Sequence, residues 1–291
     1  MSGDDFNEMI GRKVFPKTII DDVKFDGPVH LPADILDELV DSIKQRESSI
    51  AISTELEETA EVSVRGAWQN HGYFNVRVSW EAIPTAGDAD YQHFSVVFHV
   101  DEGPQYRLGK VQFRAAHFVA PTESGDRPSL RRRRKYDDPD PADLPIFPIE
   151  QLRSLIPLQE GDLLSSDKIR EGLDALRKLY GSHGYIDFTP TPETEVDDEH
   201  QTVSIVFVLD EQPQYRIGKI EVAGLGPNTE NALVWRLKPG DIFNYDLFKQ
   251  FFEDNQSILP AGASPSENSE FRRNTKDGIV DIKLKFRPCP S

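Results

Sequence analysis

Two kinds of hydrophobic pattern alternate along the first hundred residues. Thr18 to Phe25, Tyr73 to Trp80 and His93 to Val100 alternate apolar with polar residues, which is the two-residue period of strands. Pro32 to Gln45 and Thr54 to Asn70 instead have the spacing of amphipathic helices. The predicted buried faces of the two helices are Ile35, Leu36, Leu39, Val40 and Ile43, and then Ala60, Val64, Ala67 and Trp68. This stretch therefore predicts the order strand, helix, helix, strand, strand.

The same order recurs in the next hundred residues. A strand is predicted from Tyr106 to Arg114, a short helix from Ile149 to Leu155 and a longer helix from Ser165 to His183. A hairpin of Tyr185 to Thr189 and Val203 to Leu209 follows. The helix from Ser165 carries its apolar residues at i, i+4, i+7 and i+11, so one face of it is expected to be buried.

A third group starts near Tyr215 and echoes the second at an offset of 79 residues. The turn EGDLLSSD at Glu160 to Asp167 returns as PGDIFNYD at Pro239 to Asp246. The same offset maps the buried face of the helix from Ser165 onto three core residues of the third group, Phe248, Phe252 and Leu259. A short strand is predicted near Phe271 and a last strand from Ile279 to Phe286.

An internal repeat marks the boundaries between the groups. Asp101 to Phe113 (DEGPQYRLGKVQF) and Asp210 to Val222 (DEQPQYRIGKIEV) share Asp, Glu, Pro, Gln, Tyr, Arg, Gly and Lys at a constant offset of 109. Each copy lies between two apolar runs, so it predicts a junction between domains of 17–104, 105–213 and 214–288. The predicted junction residues are Pro104, Tyr106, Pro213 and Tyr215, and the two tyrosines are expected to pack between neighbouring units and limit bending.

The net negative charge of the chain argues against one class of partner. Lys and Arg number 33 against 50 Asp and Glu, a formal net charge of -17, so a polyanion such as nucleic acid is not an expected partner.

Cys289 is the single cysteine, which excludes an intrachain disulfide and a cysteine-based metal site, and no cofactor is expected. No apolar run approaches the roughly 20 residues of a membrane-spanning helix. Met1 to Phe15 contain no secretory signal, so the protein is either cytosolic or a mature form from which a signal was removed.

Three copies of strand, helix, helix, strand, strand resemble the POTRA (polypeptide-transport-associated) family. The resemblance rests on three sequence features: the EGDLLSSD turn, the stretch LRKLYGSHGYID between helix and strand, and the junction VFVLDEQPQYRIGKIEVAG. The resemblance covers about Thr18 to Arg287 and implies an α+β fold of three tandem units, each a three-stranded mixed sheet covered by two helices. It is a resemblance to the periplasmic arrays that, in outer-membrane assembly factors, usually precede a barrel.

The resemblance also implies a function. A periplasmic scaffold of this kind binds unfolded or extended outer-membrane proteins, or subunits of the assembly machinery, by β-augmentation, and a monomer without catalytic activity is expected. Two alternatives remain open: an envelope docking protein of the cell-division or secretion type, and a hydrolase with a convergent site that the sequence does not reveal.

The sequence also ranks the sheet edges on which a client could pair. In the family the first strand of each hairpin lies at the edge, and Tyr73 to Trp80 has no proline before Pro84. The equivalent strand of the second group contains Pro190 and Pro192, which cannot donate a hydrogen bond. The predicted partner-binding residues are therefore Phe74, Asn75, Val76, Arg77 and Val78, on a hairpin that turns through Pro84 to Asp90.

Three other motifs are interpreted structurally. Gly103 to Lys110 (GPQYRLGK) lacks the spacing of a phosphate-binding loop and is expected to be a turn that leads into a strand. His93 and His99 are expected on a solvated strand face. The acidic cluster from Glu193 to Glu199 is expected at a solvated hairpin tip rather than in a calcium site.

The run RRRRK at Arg131 to Lys135 is the strongest local charge anomaly. It lies in a Pro-rich insertion near 117–147 that is expected to be mobile, and four aspartates follow it closely. The functional alternatives are contact with the acidic lipid headgroups of a membrane surface, with nucleic acid or with an acidic partner.

Overall fold

The structure, a computed structural model, describes residues 17–45, 52–87, 90–116 and 144–286. Three groups of strands and helices follow one another along these residues. Arg131 to Lys135, most of the predicted insertion near 117–147 and Cys289 lie outside the described residues. The expectations for these segments stay predictions.

The first group confirms the predicted order of elements. Its second helical stretch contains a π-helical turn between two short α-helices, which the helical spacing alone did not indicate. The elements are β1 (Lys17–Asp26), α1 (Ala33–Lys44), α2 (Ile52–Glu58), the π turn (Thr59–Val64), α3 (Arg65–Gln69), β2 (Arg77–Gly87) and β3 (Tyr91–Asp101).

The second group repeats this order with shorter strands, and the third adds a further short helix before its last two strands. The second consists of β4 (Arg107–Ala115), α4 (Ile149–Ser154), α5 (Ser166–Ser182), β5 (Thr189–Asp197) and β6 (Thr202–Asp210). The third consists of β7 (Arg216–Ala223), α6 (Pro227–Asn231), α7 (Tyr245–Asp254), α8 (Pro265–Asn268), β8 (Ser269–Asn274) and β9 (Ile279–Lys285).

Each group contributes one three-stranded sheet with its last strand in the middle. The strand orders are β1-β3-β2, β4-β6-β5 and β7-β9-β8. In the first sheet β1 runs parallel and β2 antiparallel to β3, and in the third β7 runs parallel and β8 antiparallel to β9. The predicted α+β class with three-stranded mixed sheets is confirmed.

The core of the first group lies between the helices and one face of the sheet. Ala60, Val64 and Trp68 are buried as predicted, while Ala67 is half-buried, and Leu56 extends the same stripe. Full burial of such a side chain stabilises the fold by about 1.5–3 kcal/mol. The aligned stripe across the π turn therefore keeps the whole helical stretch on the sheet.

Phenylalanine dominates the core of the third group. Phe248, Phe252 and Leu259 are buried as the 79-residue offset predicts, and Phe243 and Phe251 join them. Rings at edge and stacked geometries fill this core, for example Phe251 against Phe252 at 5.3 Å between centroids.

The first strand of each hairpin begins later than the apolar alternation predicts. β2 begins at Arg77 rather than Tyr73, because the preceding residues form a turn in which Phe74 N donates to Gly72 O at 2.9 Å and Val76 N to Tyr73 O at 3.2 Å. Likewise β5 begins at Thr189 rather than Tyr185. The apolar residues of these turns have the same alternating spacing as a strand. Both strands were therefore predicted to begin four residues too early.

Both strands also run further than predicted at the other end. β2 continues to Gly87, so the predicted hairpin turn through Pro84 to Asp90 is shorter and Pro84 lies in the strand. β5 continues to Asp197, which places Glu193, Glu195 and Asp197 on a strand and only the end of the acidic cluster in the turn.

The described residues form two compact units. The first consists of 17–45, 52–87, 90–110, 158–169 and 195–204, and the second of 111–116, 144–157, 170–194 and 205–286. The segment of the first repeat copy around Tyr106 lies inside the first unit, and the segment around Tyr215 lies inside the second. Each junction is therefore described within one unit, and the predicted domain boundaries stay predictions.

Candidate functional site

The predicted client edge is only partly a strand. Of its five residues, Arg77 and Val78 lie on β2, whereas Phe74 and Asn75 lie in the preceding turn and buried Val76 follows it. The strand to which a client could add its backbone therefore starts at Arg77 and reaches beyond the predicted segment.

β2 is an outer strand with one apolar and one polar face. Its inner side pairs with β3 from Arg77 opposite Asp101 to Gly87 opposite Gln92, with an irregularity next to Pro84. Val78, Trp80 and Ala82 pack on the core, while Ser79, Glu81 and Ile83 alternate with them and are exposed. The sheet order leaves the other backbone edge of β2 without a neighbouring strand in the described part of the chain. Seven residues, Arg77 to Ile83, thus form an edge without proline.

The equivalent edge of the second group differs in chemistry. β5 is also the outer strand of its sheet, and Pro190 and Pro192 occupy its first half. The second half carries the acidic residues Glu193, Glu195 and Asp197. Proline removes backbone donors and like charges repel acidic segments, so β5 is the poorer template for a paired strand.

The two histidines of β3 form cross-strand pairs with aspartates. His93 Nδ1 lies 2.9 Å from Asp21 Oδ1, and His99 Nδ1 lies 3.0 Å from Asp26 Oδ2. The hydrogen bond to His93 holds the pKa of Asp21 below its ordinary value, and Thr85 Oγ1 donates to the same carboxylate. Both aspartates lie on β1, which the sequence around the histidines did not indicate. Within the described residues no group of three or more His, Cys, Asp or Glu side chains could hold a metal ion.

Tyr106 anchors the first junction segment between β3 and β4. The residue is 1% exposed, its N donates to Gly72 O at 2.7 Å and its O accepts from Leu164 N at 3.1 Å. Its hydroxyl donates to Asp198 Oδ1 at 2.5 Å and accepts from Asn75 Nδ2 at 3.2 Å. The hydrogen bond to Asp198, together with burial, raises the pKa of Tyr106. Tyr106 thus connects elements far apart in sequence.

Tyr215 repeats this arrangement in the second junction segment. It is fully buried, its N donates to Gly184 O at 2.9 Å and its O accepts from Phe243 N at 3.0 Å. The hydroxyl donates to Asp187 Oδ2 at 2.9 Å. Burial raises the pKa of Tyr215, and the hydrogen bond to Asp187 raises it further. Asp187 holds the place of Asn75, since both come three residues after the helix-ending glycine.

The other repeated residues of the junction bind the same backbone groups in both copies. Gln105 donates to His71 O at 2.8 Å and Gln214 to His183 O at 2.9 Å, so each satisfies a carbonyl at the end of a helical stretch. Arg107 and Arg216 reach the carbonyls of the glycine turns at Gly161 and Gly240. Gly103 to Lys110 leads into a strand as predicted, since β4 begins at Arg107, but no turn is assigned to the residues before it. Pro104 and Pro213 lie in connections without regular secondary structure before β4 and β7.

Two glutamates of the repeat were not assigned a role from sequence. Glu102 is 2% exposed, and its Oε1 accepts from Trp68 Nε1 at 2.6 Å and from His30 N at 2.7 Å. Glu211 Oε1 accepts from Tyr180 OH at 2.6 Å and from Ile146 N at 2.8 Å. In both copies, the donors are an aromatic residue of the long helical stretch and a backbone N–H three residues before the preceding helix. The identity of the glutamate in both repeats was the available signal, but the partners lie too far away in sequence to be predicted.

The environment of Glu102 favours the carboxylate. Burial acts to raise its pKa, but the hydrogen bonds from the ring and backbone of His30 and from Trp68 outweigh it, so the pKa lies below its ordinary value. Glu102 therefore ties the end of β3 to the end of the helical stretch as a charged group.

No helix in the described residues is long and apolar enough to cross a membrane.

Comparison with known proteins identifies the fold. Residues 145–212 match the family model of POTRA, described as a surface antigen variable number repeat. The crystal structure of Haemophilus influenzae BamA POTRA3-5 superposes with a TM-score of 0.59 at 17% identity, covering 93% of this chain and 96% of that one. The chain has the fold of a tandem POTRA array, and the predicted resemblance is confirmed.

Two curated relatives are similar in sequence. A candidate outer membrane protein assembly factor of Treponema pallidum is 23% identical over 274 residues, covering 92% of this chain and 29% of the relative. The outer membrane protein assembly factor BamA of Nitratidesulfovibrio vulgaris is 23% identical over 240 residues, covering 81% of this chain and 26% of the relative. The chain thus spans less than a third of the length of either curated relative.

Proposed function

We propose that this protein is a periplasmic binding scaffold in outer-membrane protein assembly or polypeptide transport, and that it binds extended polypeptides by β-augmentation on β2. The observation that carries the proposal is the outer edge of β2 from Arg77 to Ile83, which has no neighbouring strand among the described residues and no proline. The similarity to outer-membrane assembly factors supports the process and the compartment.

Backbone pairing suits a scaffold that meets many different clients. An edge strand offers N–H and C=O groups that any extended segment can bind, so affinity depends little on the client's side chains. The exposed residues of β2 supply the remaining selectivity: Ser79 and Glu81 are polar, and Ile83 is 47% exposed and apolar. The partners are therefore unfolded or extended outer-membrane proteins, or assembly subunits that present an extended segment, and the scaffold acts as a monomer. Surface contact with a membrane through Arg131 to Lys135 belongs to the same proposal.

The junction tyrosines have a separate part in this proposal. Tyr106 and Tyr215 each bind a backbone carbonyl ahead of the junction, a backbone N–H beyond it and an aspartate side chain. Such a set of bonds is expected to resist rotation about the connecting segment.

An NMR titration with an extended peptide from an outer-membrane protein tests the edge assignment. Backbone amide shifts are expected to centre on Arg77 to Ile83, because new hydrogen bonds form along that strand. A peptide of the same length in which every second residue is replaced by proline serves as the control, because it lacks the backbone donors, and it should cause no shifts there. Shifts centred on β5, from Thr189 to Asp197, or absent from both edges, would reject the proposal.

A further inference from the structure

A side chain of the first group binds the N-terminus of α5 in the second group. Asn70 directly follows α3, and its Oδ1 accepts from Asp167 N at 2.8 Å and from Ser166 Oγ at 2.7 Å. Its Nδ2 donates to the carboxylate of Asp167. Ser165 Oγ accepts from Lys168 N at 3.3 Å. Two of the N–H groups that a helix leaves without partners at its N-terminus are therefore bound, one of them by the first group.

The first group holds Asn70 in place. Asn70 N donates to Gly66 O at 2.9 Å, and its φ of -72° and ψ of -13° continue the helical backbone of α3. Trp68, two residues earlier, is fully buried and donates to Glu102. The side-chain amide of Asn70 is therefore anchored to the core of the first group at one end and to the first turn of α5 at the other.

The beginning of α5 packs with the first group rather than with the rest of its own helix. Residues 158–169 belong to the same compact unit as the first group, whereas α5 continues in the other unit from Arg170 onward. The segment just before α5 is held there as well, because Leu164 N donates to Tyr106 O at 3.1 Å. Asn70 thus binds the part of α5 that the packing assigns to the first group.

The second junction is built differently. Ser182 holds the place of Asn70, because each comes two residues before the helix-ending glycine. Its Oγ donates to Leu179 O of its own helix at 2.8 Å. The helix that follows, α7, is capped by its own Asn244, whose Oδ1 accepts from Leu247 N at 3.0 Å. Ser182 and the cap of α7 therefore each bond within their own segment.

We propose that Asn70, with Ser166 and Asp167, forms an amide clip that couples the opening of the first group to the opening of the first turn of α5. When the first group loosens, Asp167 N loses its acceptor and the Asp167 carboxylate loses a donor, so the first turn opens more often. Loss of a helix cap shifts such an equilibrium by a factor of roughly 2 to 30. The proposal concerns this junction alone and does not depend on client binding to β2.

Native-state hydrogen exchange of the full chain, followed by NMR, tests the clip. Asn70→Ala should raise the exchange rates of the Lys168 and Ile169 amides about fivefold, because the first turn of α5 loses a cap. Ser182→Ala is the matched control at the second junction. It should leave the exchange rate of the Leu247 amide in the first turn of α7 unchanged, because Ser182 bonds only within its own helix in the described contacts.

A second substitution separates coupling from a local cap. Val64→Ala loosens the buried core of the first group, so in the otherwise wild-type chain it should also raise the exchange rates of the Lys168 and Ile169 amides. In an Asn70→Ala background Val64→Ala should no longer change them. A purely local cap would leave the effect of Val64→Ala the same in both backgrounds. Ile35→Ala, on the half-buried face of α1, replaces Val64→Ala if that variant does not fold.

Exchanging the two side chains tests the contact itself. Asn70→Asp places a carboxylate beside Asp167 and should raise the exchange rate of the Lys168 amide about as much as Asn70→Ala. Combined with Asp167→Asn, it restores one donor and one acceptor, and the rate should return to within about twofold of the wild type. Unchanged exchange in Asn70→Ala, the same effect of Val64→Ala in both backgrounds, or no recovery in the exchanged pair would overturn the proposal.

Discussion

Single residues of the repeat carry contacts that are copied between the junctions. Trp68 and Tyr180 differ in chemistry, yet each donates to the glutamate of its junction: the indole N–H of Trp68 to Glu102, and the hydroxyl of Tyr180 to Glu211. The donors match because both side chains end in a polar hydrogen on a flat apolar body. Glu102 is buried, so removing one of its donors costs free energy. Both the glutamate and its donors are therefore constrained against substitution.

Glu102→Gln should lower the free energy of unfolding by about 1–3 kcal/mol at neutral pH. A glutamine can still accept from Trp68 but turns an N–H group toward His30, where the carboxylate accepted. Urea unfolding measures the difference, and Glu81→Gln on the exposed face of β2 is the matched control. An equal effect of both substitutions would contradict the role given to Glu102.

The pH dependence of stability should change in the same variant. The folded-state pKa of Glu102 is lowered, so its contribution is complete above the unfolded-state value and is lost as the pH falls through the folded value. Wild-type stability should therefore fall more steeply on acidification below about pH 4.5 than that of Glu102→Gln. Parallel curves of unfolding free energy against pH would show that the carboxylate is not stabilised by its partners.

The sequence pattern predicts only part of how the strands and helices position the side chains described above. The repeats were sufficient to predict the order of the strands in the three sheets, because each group buries the same faces, while the domain boundaries that the 109-residue repeat predicts stay predictions. The pattern did not find where β2 begins, since the buried turn before Arg77 carries apolar residues at strand spacing. It also missed the partners of His93 and Glu102, which are supplied by elements about 70 residues away.

Tyr215→Phe tests whether the second junction limits bending. The substitution keeps the buried ring and removes the hydroxyl, with its hydrogen bond to Asp187, so the unfolding free energy should fall by about 1 kcal/mol. Small-angle scattering should show a wider distribution of intramolecular distances than the wild type. Tyr245→Phe, at an exposed position at the start of α7, is the control and should change neither quantity. Unchanged scattering of Tyr215→Phe would exclude the hinge role.

At the scale of the whole molecule, the net charge of -17 should select among extended clients. Two peptides with the same apolar alternation, one with Lys and one with Glu at the polar positions, should differ in affinity at low salt in favour of the Lys peptide. The field of the chain is screened within about 10 Å at 0.1 M salt, so the difference should shrink as salt is raised to about 0.5 M. Fluorescence anisotropy measures both affinities, and an unchanged ratio would show that binding ignores the overall charge.

Site-specific cross-linking tests β-augmentation on β2 most directly. In a Cys289→Ser background, Ser79→Cys on β2 and Thr194→Cys on β5 each place one thiol on an outer strand. A set of client peptides carries a cysteine at each successive position. Pairing on β2 predicts disulfides with Ser79→Cys whose yield alternates with a period of two residues, because side chains of a paired strand alternate between faces. Thr194→Cys should give low yields throughout. Equal yields at all peptide positions, or stronger cross-linking at residue 194 than at residue 79, would contradict the account.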